Sequence, residues 1–138
     1  MINASPEAVW RILTDTGFYP DWNPFLIRIE GAFEAGARLA VTIQAPNSRP
    51  MIVRPTCLER AELRIVRWRG SLGVKGLFDG EHIFELEPDG SGATRFIHRE
   101  RFTGALVALV LALIGKQTRA GFEAMNLHLK MRAEGTSK

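Results

Sequence analysis

The sequence predicts an α+β fold in which a curved antiparallel β-sheet packs against a long C-terminal helix. Two observations carry this prediction. Apolar and polar residues alternate with a period of two from Phe25 to Thr103, and a helical period of 3.6 follows up to about Ala133. The chain has 138 residues, which is the usual size of one domain, and we expect a single domain over 1–138.

The N-terminal segment predicts a short helix followed by a capping loop. Ser5-Pro6-Glu7 provides a hydroxyl N-cap, a proline at the first helical position and a carboxylate in the first turn. We expect this helix to end near Asp15. The segment 16–24 combines aromatic residues with helix breakers, which predicts a loop or one short turn of helix that closes a pocket.

The alternating segment predicts six β-strands. Glycine, proline and asparagine interrupt the alternation at short intervals, and this turn chemistry predicts that consecutive strands pair as an antiparallel meander. The predicted strands are 25–30, 38–45, 50–59, 62–69, 79–87 and 94–102. The predicted turns are 31–36, 46–48, 60–61, 70–76 and 89–92.

The C-terminal helix is predicted to begin after Gly104, with Phe122, Met125 and Leu129 on one stripe. Its first part, 105–115, is a continuous apolar run, but it has about half of the roughly 20 residues that a membrane-spanning helix needs. We therefore predict no transmembrane segment. We interpret the run as the buried start of the helix, and the alternative is a patch that contacts a membrane surface or forms a homodimer.

Composition limits the classes of partner and cofactor. Cys57 is the single cysteine, so an internal disulfide is excluded and a reducing, cytoplasmic location is expected. The net charge is +3, but the basic residues are scattered along the chain, which argues against nucleic acid. The N-terminus resembles no secretory signal. Neither a phosphate-binding loop nor a dinucleotide fingerprint is present, and we predict no cofactor.

Four segments, taken in order, resemble a known superfamily. They are Ala4-Ser-Pro-Glu-Ala-Val-Trp10 with Trp22-Asn-Pro24, Phe78-Asp-Gly-Glu-His-Ile-Phe-Glu-Leu-Glu-Pro88, Gly92-Ala-Thr-Arg-Phe96, and Gly121-Phe-Glu-Ala-Met-Asn126. Together they resemble the START-like superfamily, also called SRPBCC or Bet v 1-like, and within it the polyketide cyclase/dehydrase group. The resemblance implies a helix-grip fold, in which a strongly bent antiparallel sheet wraps around the C-terminal helix and two short N-terminal helices close one end of a deep cavity.

The chain differs from this superfamily at its N-terminus. Members usually have an extended strand before the first helix, whereas only residues 1–4 precede it here. We expect either that the assigned start is too late or that one sheet edge is uncovered. An uncovered edge could pair with a second copy of the chain.

The last two predicted strands place His82, His98 and Glu100 on the inner face of the sheet. Acidic residues of one strand and basic residues of the other fall on the outer face, where they would pair across the hairpin. If the turn at 89–92 gives an even register, His82 lies opposite Glu100. The same register pairs Leu86 with Phe96 and Phe84 with His98.

A carboxylate beside an imidazole favours the charged imidazole and orients it as an acid or a base. The alternatives are that His82 and Glu100 satisfy their own hydrogen bonds in a buried sheet or recognise the polar end of a ligand. Two histidines and a carboxylate could also hold a metal. We predict no metal site, because adjacent strands rarely give the facial geometry that such a site requires.

We predict an apolar pocket between this inner face and the C-terminal helix. Its predicted ligand contacts are Trp22, Phe25, Arg54, Trp68, Phe84, Phe96, Phe102, Phe122 and Met125. Arg54 would neutralise an anionic ligand if it points inward, although core packing explains the apolar residues and surface exposure explains the arginine equally well.

The predicted function is binding of a small hydrophobic molecule such as a lipid, a polyketide or an aromatic metabolite. One alternative is an enzyme similar to the polyketide cyclases and dehydrases, in which His82, His98 or Glu100 transfers a proton. Another is an interaction protein that uses the apolar segment 105–115.

Overall fold

The computed structural model describes residues 1–71, 76–77 and 79–136. It has the predicted α+β, helix-grip arrangement of antiparallel strands and a long C-terminal helix. In chain order the elements are α1 (Pro6–Thr14), a 3-10 turn (Thr16–Phe18), α2 (Tyr19–Trp22), β1 (Leu26–Glu30), β2 (Ala40–Ile43), β3 (Met51–Val53), β4 (Thr56–Ala61), β5 (Ile65–Ser71), β6 (Asp79–Pro88), β7 (Thr94–Thr103) and α3 (Val107–Thr136). Phe78 and much of the predicted turn at 70–76 lie outside the described residues.

The strands form two antiparallel groups, β1–β2–β3 and β4–β5–β6–β7, each in chain order. One ladder continues across both groups. Val41 pairs with Val53 in the first group, and Arg38 pairs with Thr56 in the same register beyond it. The N–H of Leu39 donates to the carbonyl of Pro55 at 2.8 Å between these two pairs. The two groups therefore form one bent sheet.

The predicted strand 50–59 was wrong in one respect, because it is divided into β3 and β4. Pro55 lies at the division, has no N–H to donate and interrupts the ladder there. A Cβ added to Gly70 on β5 would lie 3.3 Å from the Cβ of Pro55, so glycine allows the bend to pack closely. The described chain thus has seven strands where six were predicted.

The predicted turn at 60–61 was also displaced. β4 continues to Ala61, and the turn occupies 62–64, where the N–H of Arg64 donates to the carbonyl of Ala61 at 3.0 Å. Leu63 takes a φ of +61° in this turn. A leucine is an uncommon choice for the left-handed region, so the residue type gave no signal for a turn here.

The N-terminal helices form as predicted. The Ser5 hydroxyl accepts from the N–H of Ala8 at 3.2 Å and caps α1, which ends at Thr14. After α2, the side-chain oxygen of Asn23 accepts from the backbone N–H groups of Phe25 and Leu26, each at 2.9 Å. This pair of hydrogen bonds sets the direction in which Phe25 leaves the loop.

The edge of β7 is covered at one position. Ile2 and Thr94 exchange two backbone hydrogen bonds of 2.8 and 2.9 Å, which form a single β-bridge where members of the superfamily usually have a strand. Beyond this bridge, no other described strand pairs with that edge. None of the helices in the described ranges combines the length and hydrophobicity needed to cross a membrane.

Candidate ligand-binding site

A cavity of about 370 Å3 lies between the concave face of the sheet and the first half of α3. This volume falls in the range of small-molecule sites. Strands β2, β3 and β5 and helix α3 supply most of its wall. Apolar side chains dominate the lining and include Leu26, Val41, Ile43, Val53, Val110 and Ile114.

The structure distributes the predicted ligand contacts between the cavity and the core. Three of the nine line the cavity, namely Phe25, Trp68 and Phe102. Another three are buried in the core and are not part of the lining, namely Trp22, Phe84 and Met125. Phe96 and Phe122 are partly buried against that core, and Arg54 is exposed and outside the lining.

The arginine at the cavity is Arg49 and not the predicted Arg54. It lies in the loop between β2 and β3 together with Ser48, whose hydroxyl contacts Oε1 of Gln117 on α3 at 3.2 Å. Gln117 interrupts the apolar inner face of the helix. This interruption is the sequence signal that a polar position lies at this end of the cavity. Arg49 and Met51 are exposed, so the cavity is open to solvent at this end.

Three side chains form a hydrogen-bonded chain from α3 to the cavity wall, and Glu100 lies beside its last member. The predicted register is confirmed, with His82 opposite Glu100 and Phe84 opposite His98. The Nδ1 atom of His82 lies 3.5 Å from Oε2 of Glu100, and its Nε2 lies 2.6 Å from Nε2 of His98. The Nδ1 of His98 lies 2.8 Å from Oδ1 of Asn126. His82 and Glu100 line the cavity, whereas His98 and Asn126 stand behind them.

Aromatic rings hold both imidazoles in place. The ring of Trp68 stacks on His82 with centroids 4.6 Å apart and an interplanar angle of 8°. Phe122 stacks on His98 at 4.0 Å and 5°. These contacts restrict the rotation of both imidazoles, so the chain of nitrogen atoms keeps its alignment.

The hydrogen-bond partners determine where the protons lie. Removal from water, assisted by repulsion from His82, holds the pKa of His98 well below its ordinary 6.5, and the Asn126 hydrogen bond acts in the opposite direction. His98 is therefore neutral at pH 7. The amide oxygen of Asn126 can only accept, so the His98 proton is on Nδ1 and its Nε2 accepts from His82.

This arrangement leaves Nδ1 of His82 facing the carboxyl of Glu100. Gly80 provides the space for Glu100, since a Cβ at that position would lie 2.8 Å from Oε1 of the carboxyl. The wall of the cavity thus presents an imidazole and a carboxyl group side by side within an apolar surface.

A family model described as polyketide cyclase / dehydrase and lipid transport matches residues 1–134, which include the cavity, the hydrogen-bonded chain and Glu100. The chain belongs to this family. The match confirms the resemblance to the polyketide cyclase/dehydrase group. The family includes both catalysis and lipid transport in its description, so membership alone does not distinguish the two roles.

Solved structures share the fold of this family member at low sequence identity. A protein from Mesorhizobium loti is 19% identical with a TM-score of 0.72, over 100% of this chain and 95% of that one. A protein from Rhodobacter sphaeroides is 14% identical with a TM-score of 0.75, over 99% and 89%. The di-domain ARO/CYC StfQ from the steffimycin biosynthetic pathway is 12% identical with a TM-score of 0.69, over 99% of this chain and 47% of that one. No curated protein matches the chain.

Proposed function

We propose that this protein binds a small, mainly apolar molecule in the cavity between its sheet and α3. The observation that carries the proposal is a cavity of about 370 Å3 with a mostly apolar wall and a few polar groups. Burial of apolar surface supplies the binding free energy in such sites, and the polar groups orient the ligand. The lipid transport part of the family description supports the same role.

The polar groups of the wall favour a ligand with an apolar body and a polar end. His82 and Glu100 form one polar position on β6 and β7, and Arg49 with Gln117 forms another at the open end. A hydroxyl or carbonyl group of the ligand would hydrogen-bond at the first position. An anionic group would be stabilised at the second, because the guanidinium of Arg49 can bind it through two parallel hydrogen bonds.

Filling the cavity is expected to weaken binding. In the variant Val110→Phe, a larger side chain would project from α3 into the cavity, and the affinity for an apolar fluorescent probe should fall by about tenfold or more. Ala112→Phe is the matched control, because Ala112 is exposed on the opposite side of the same helix. Probe titration, with native mass spectrometry of co-purified ligand, gives the measurement. Unchanged affinity in Val110→Phe would place the ligand elsewhere.

The pairing of His82 with Glu100 at the cavity wall favours a second candidate function, a cyclase- or dehydrase-like reaction. Glu100 or His82 would take a proton from a carbon next to a carbonyl group, and the protonated group would return it to a departing hydroxyl, which leaves as water. His98 and Asn126 would act as positioning residues, because they fix the orientation of His82 through hydrogen bonds of 2.6 and 2.8 Å.

The enzyme candidate predicts that Glu100→Gln separates catalysis from binding. Exchange of the α-hydrogen of an enolisable aromatic ketone into D2O should slow by about 10²–10⁴-fold, while probe affinity stays within a few-fold. The control is Glu87→Gln, which changes an exposed glutamate on the neighbouring strand β6, at the turn end of the hairpin. Equal loss of exchange and affinity in Glu100→Gln would favour a binding role alone. Replacement of His82 by an isosteric neutral residue gives an independent repeat.

A further inference from the structure

We propose that the outer surface of the first half of α3 docks on an anionic lipid bilayer beside the open end of the cavity. The docking patch consists of Leu106, Leu109, Leu113, Lys116 and Arg119. The proposal concerns a surface and a partner, and it holds whether the cavity serves for transport or for catalysis.

Three leucines of the patch are exposed in a regular pattern. Leu106, Leu109 and Leu113 are 39%, 61% and 74% exposed. Leu109 and Leu113 lie one turn apart on one side of α3, and Leu106 directly precedes the helix. Contiguous exposed apolar stripes of this kind mark interaction surfaces in folded proteins. On the inner side of the same turns, Val110 and Ile114 line the cavity. The helix is therefore apolar on both sides here, and core packing accounts for the inner side alone.

The charges beside these leucines indicate the partner. Between Phe102 and Phe122 the charged residues are Lys116 and Arg119, and no acidic residue occurs. Arg119 reaches Glu123 at 3.7 Å, in an exposed pair that water screens and that contributes little. Leucines that enter the acyl boundary, followed by cations at the level of the headgroups, are the pattern of an interfacial helix on anionic lipid.

A second copy of the chain fits this patch less well. A symmetric dimer brings the same patch to face itself, so its two cations would meet the same two cations, with the exposed Glu123 beside Arg119 as the nearest acidic residue along the helix. A bilayer containing anionic lipids supplies the missing charge.

Docking in this way would place the open end of the cavity at the membrane surface. The loop that carries Ser48 and Arg49 is joined to α3 by the Ser48–Gln117 contact, so the cavity opening and the patch belong to the same end of the molecule. An apolar ligand could then move between the bilayer and the cavity with little exposure to water, which lowers the cost of transfer.

Vesicle co-sedimentation tests the proposal. The wild-type protein should bind phosphatidylcholine vesicles that contain phosphatidylglycerol and bind pure phosphatidylcholine vesicles more weakly. In L109Q/L113Q the partition onto the mixed vesicles should fall by about tenfold or more, and in K116Q/R119Q the preference for anionic vesicles should disappear. The control L127Q/M131Q changes residues that are 54% and 59% exposed on the same side of the helix but outside the patch, and it should bind as the wild type does.

Three outcomes would overturn the proposal. The first is a wild-type protein that does not sediment with mixed vesicles, and the second is a control variant that loses as much binding as L109Q/L113Q. The third is a dimer, measured by light scattering, that L109Q/L113Q dissociates in the absence of vesicle binding; that result would assign the patch to a second copy. Probe affinity of the cavity, measured in parallel, shows whether each variant keeps its fold.

Discussion

Gly121→Ala is expected to lower the free energy of unfolding by about 2 kcal/mol. A Cβ at this position of α3 would overlap two ring carbons of Phe25 and lie 3.0 Å from a third. The Phe25 ring is buried, packs against Phe122 at 5.5 Å and lines the cavity. The ring can therefore yield only by moving into the cavity or by separating the helix from the loop. Urea unfolding measures the change, and probe affinity should fall in the same variant.

Gly115→Ala is the matched control on the same helix. The nearest atom to an added Cβ there is the Cβ of Leu111 at 3.9 Å, which is ordinary contact. Because alanine is a better helix former than glycine, this variant should gain up to about 1 kcal/mol of stability. A result in which both substitutions stabilise the protein would show that Phe25 does not depend on the space above Gly121.

Acidification below about pH 6.5 is expected to destabilise the protein through His98. Unfolded His98 has the ordinary pKa of 6.5, whereas burial holds its pKa in the folded protein well below this value. Between the two pKa values the unfolded state binds one more proton. The free energy of unfolding therefore decreases as the pH is lowered, by up to about 1.4 kcal/mol per pH unit. Above 6.5 both states are neutral and this contribution is constant. Urea unfolding at a series of pH values gives the slope.

Variants separate His98 from the other titrating groups. His98→Gln should lose this part of the slope below about pH 6.5, whatever its stability at neutral pH. His128→Gln changes an exposed histidine and should keep the wild-type slope. Asn126→Asp places a carboxylate next to Nδ1 of His98, which should raise the pKa of that histidine and flatten the slope. If His98→Gln titrates like the wild type, His98 is not the group responsible.

The last hairpin shows what local sequence can predict. The Asp89–Gly92 turn fixes the register of β6 and β7, because the Asp89 carboxylate accepts from the N–H groups of Ser91 and Ala93 at 2.8 and 3.1 Å. Gly90 and Gly92 supply the positive φ angles that this turn needs. Turn chemistry and period-two alternation are both local properties. Together they predict the pairing of His82 with Glu100, and the structure confirms it.

Contacts between the helix and the sheet could not be predicted in the same way. Asn126 reaches His98 only because α3 crosses β7 at a particular place, and no local pattern specifies that crossing. The division of the inner face into core and cavity has the same origin. Phe84 packs into the core near Met125, whereas His82, two residues earlier on β6, lies at the cavity wall. The sequence predicted the face correctly but not where along it the packing ends.

Alternate residues of β3 and β4 point to the same inner face of the sheet on both sides of the bend at Pro55. Met51 and Val53 line the cavity before the bend, and Cys57 is fully buried in the core after it. Substitutions before the bend therefore alter the shape of the cavity, whereas substitutions after it alter the stability of the core. Cavity shape and core packing are thus determined by two adjacent strands, β3 and β4. Substitutions in β3 can reshape the cavity while β4 keeps the core packed.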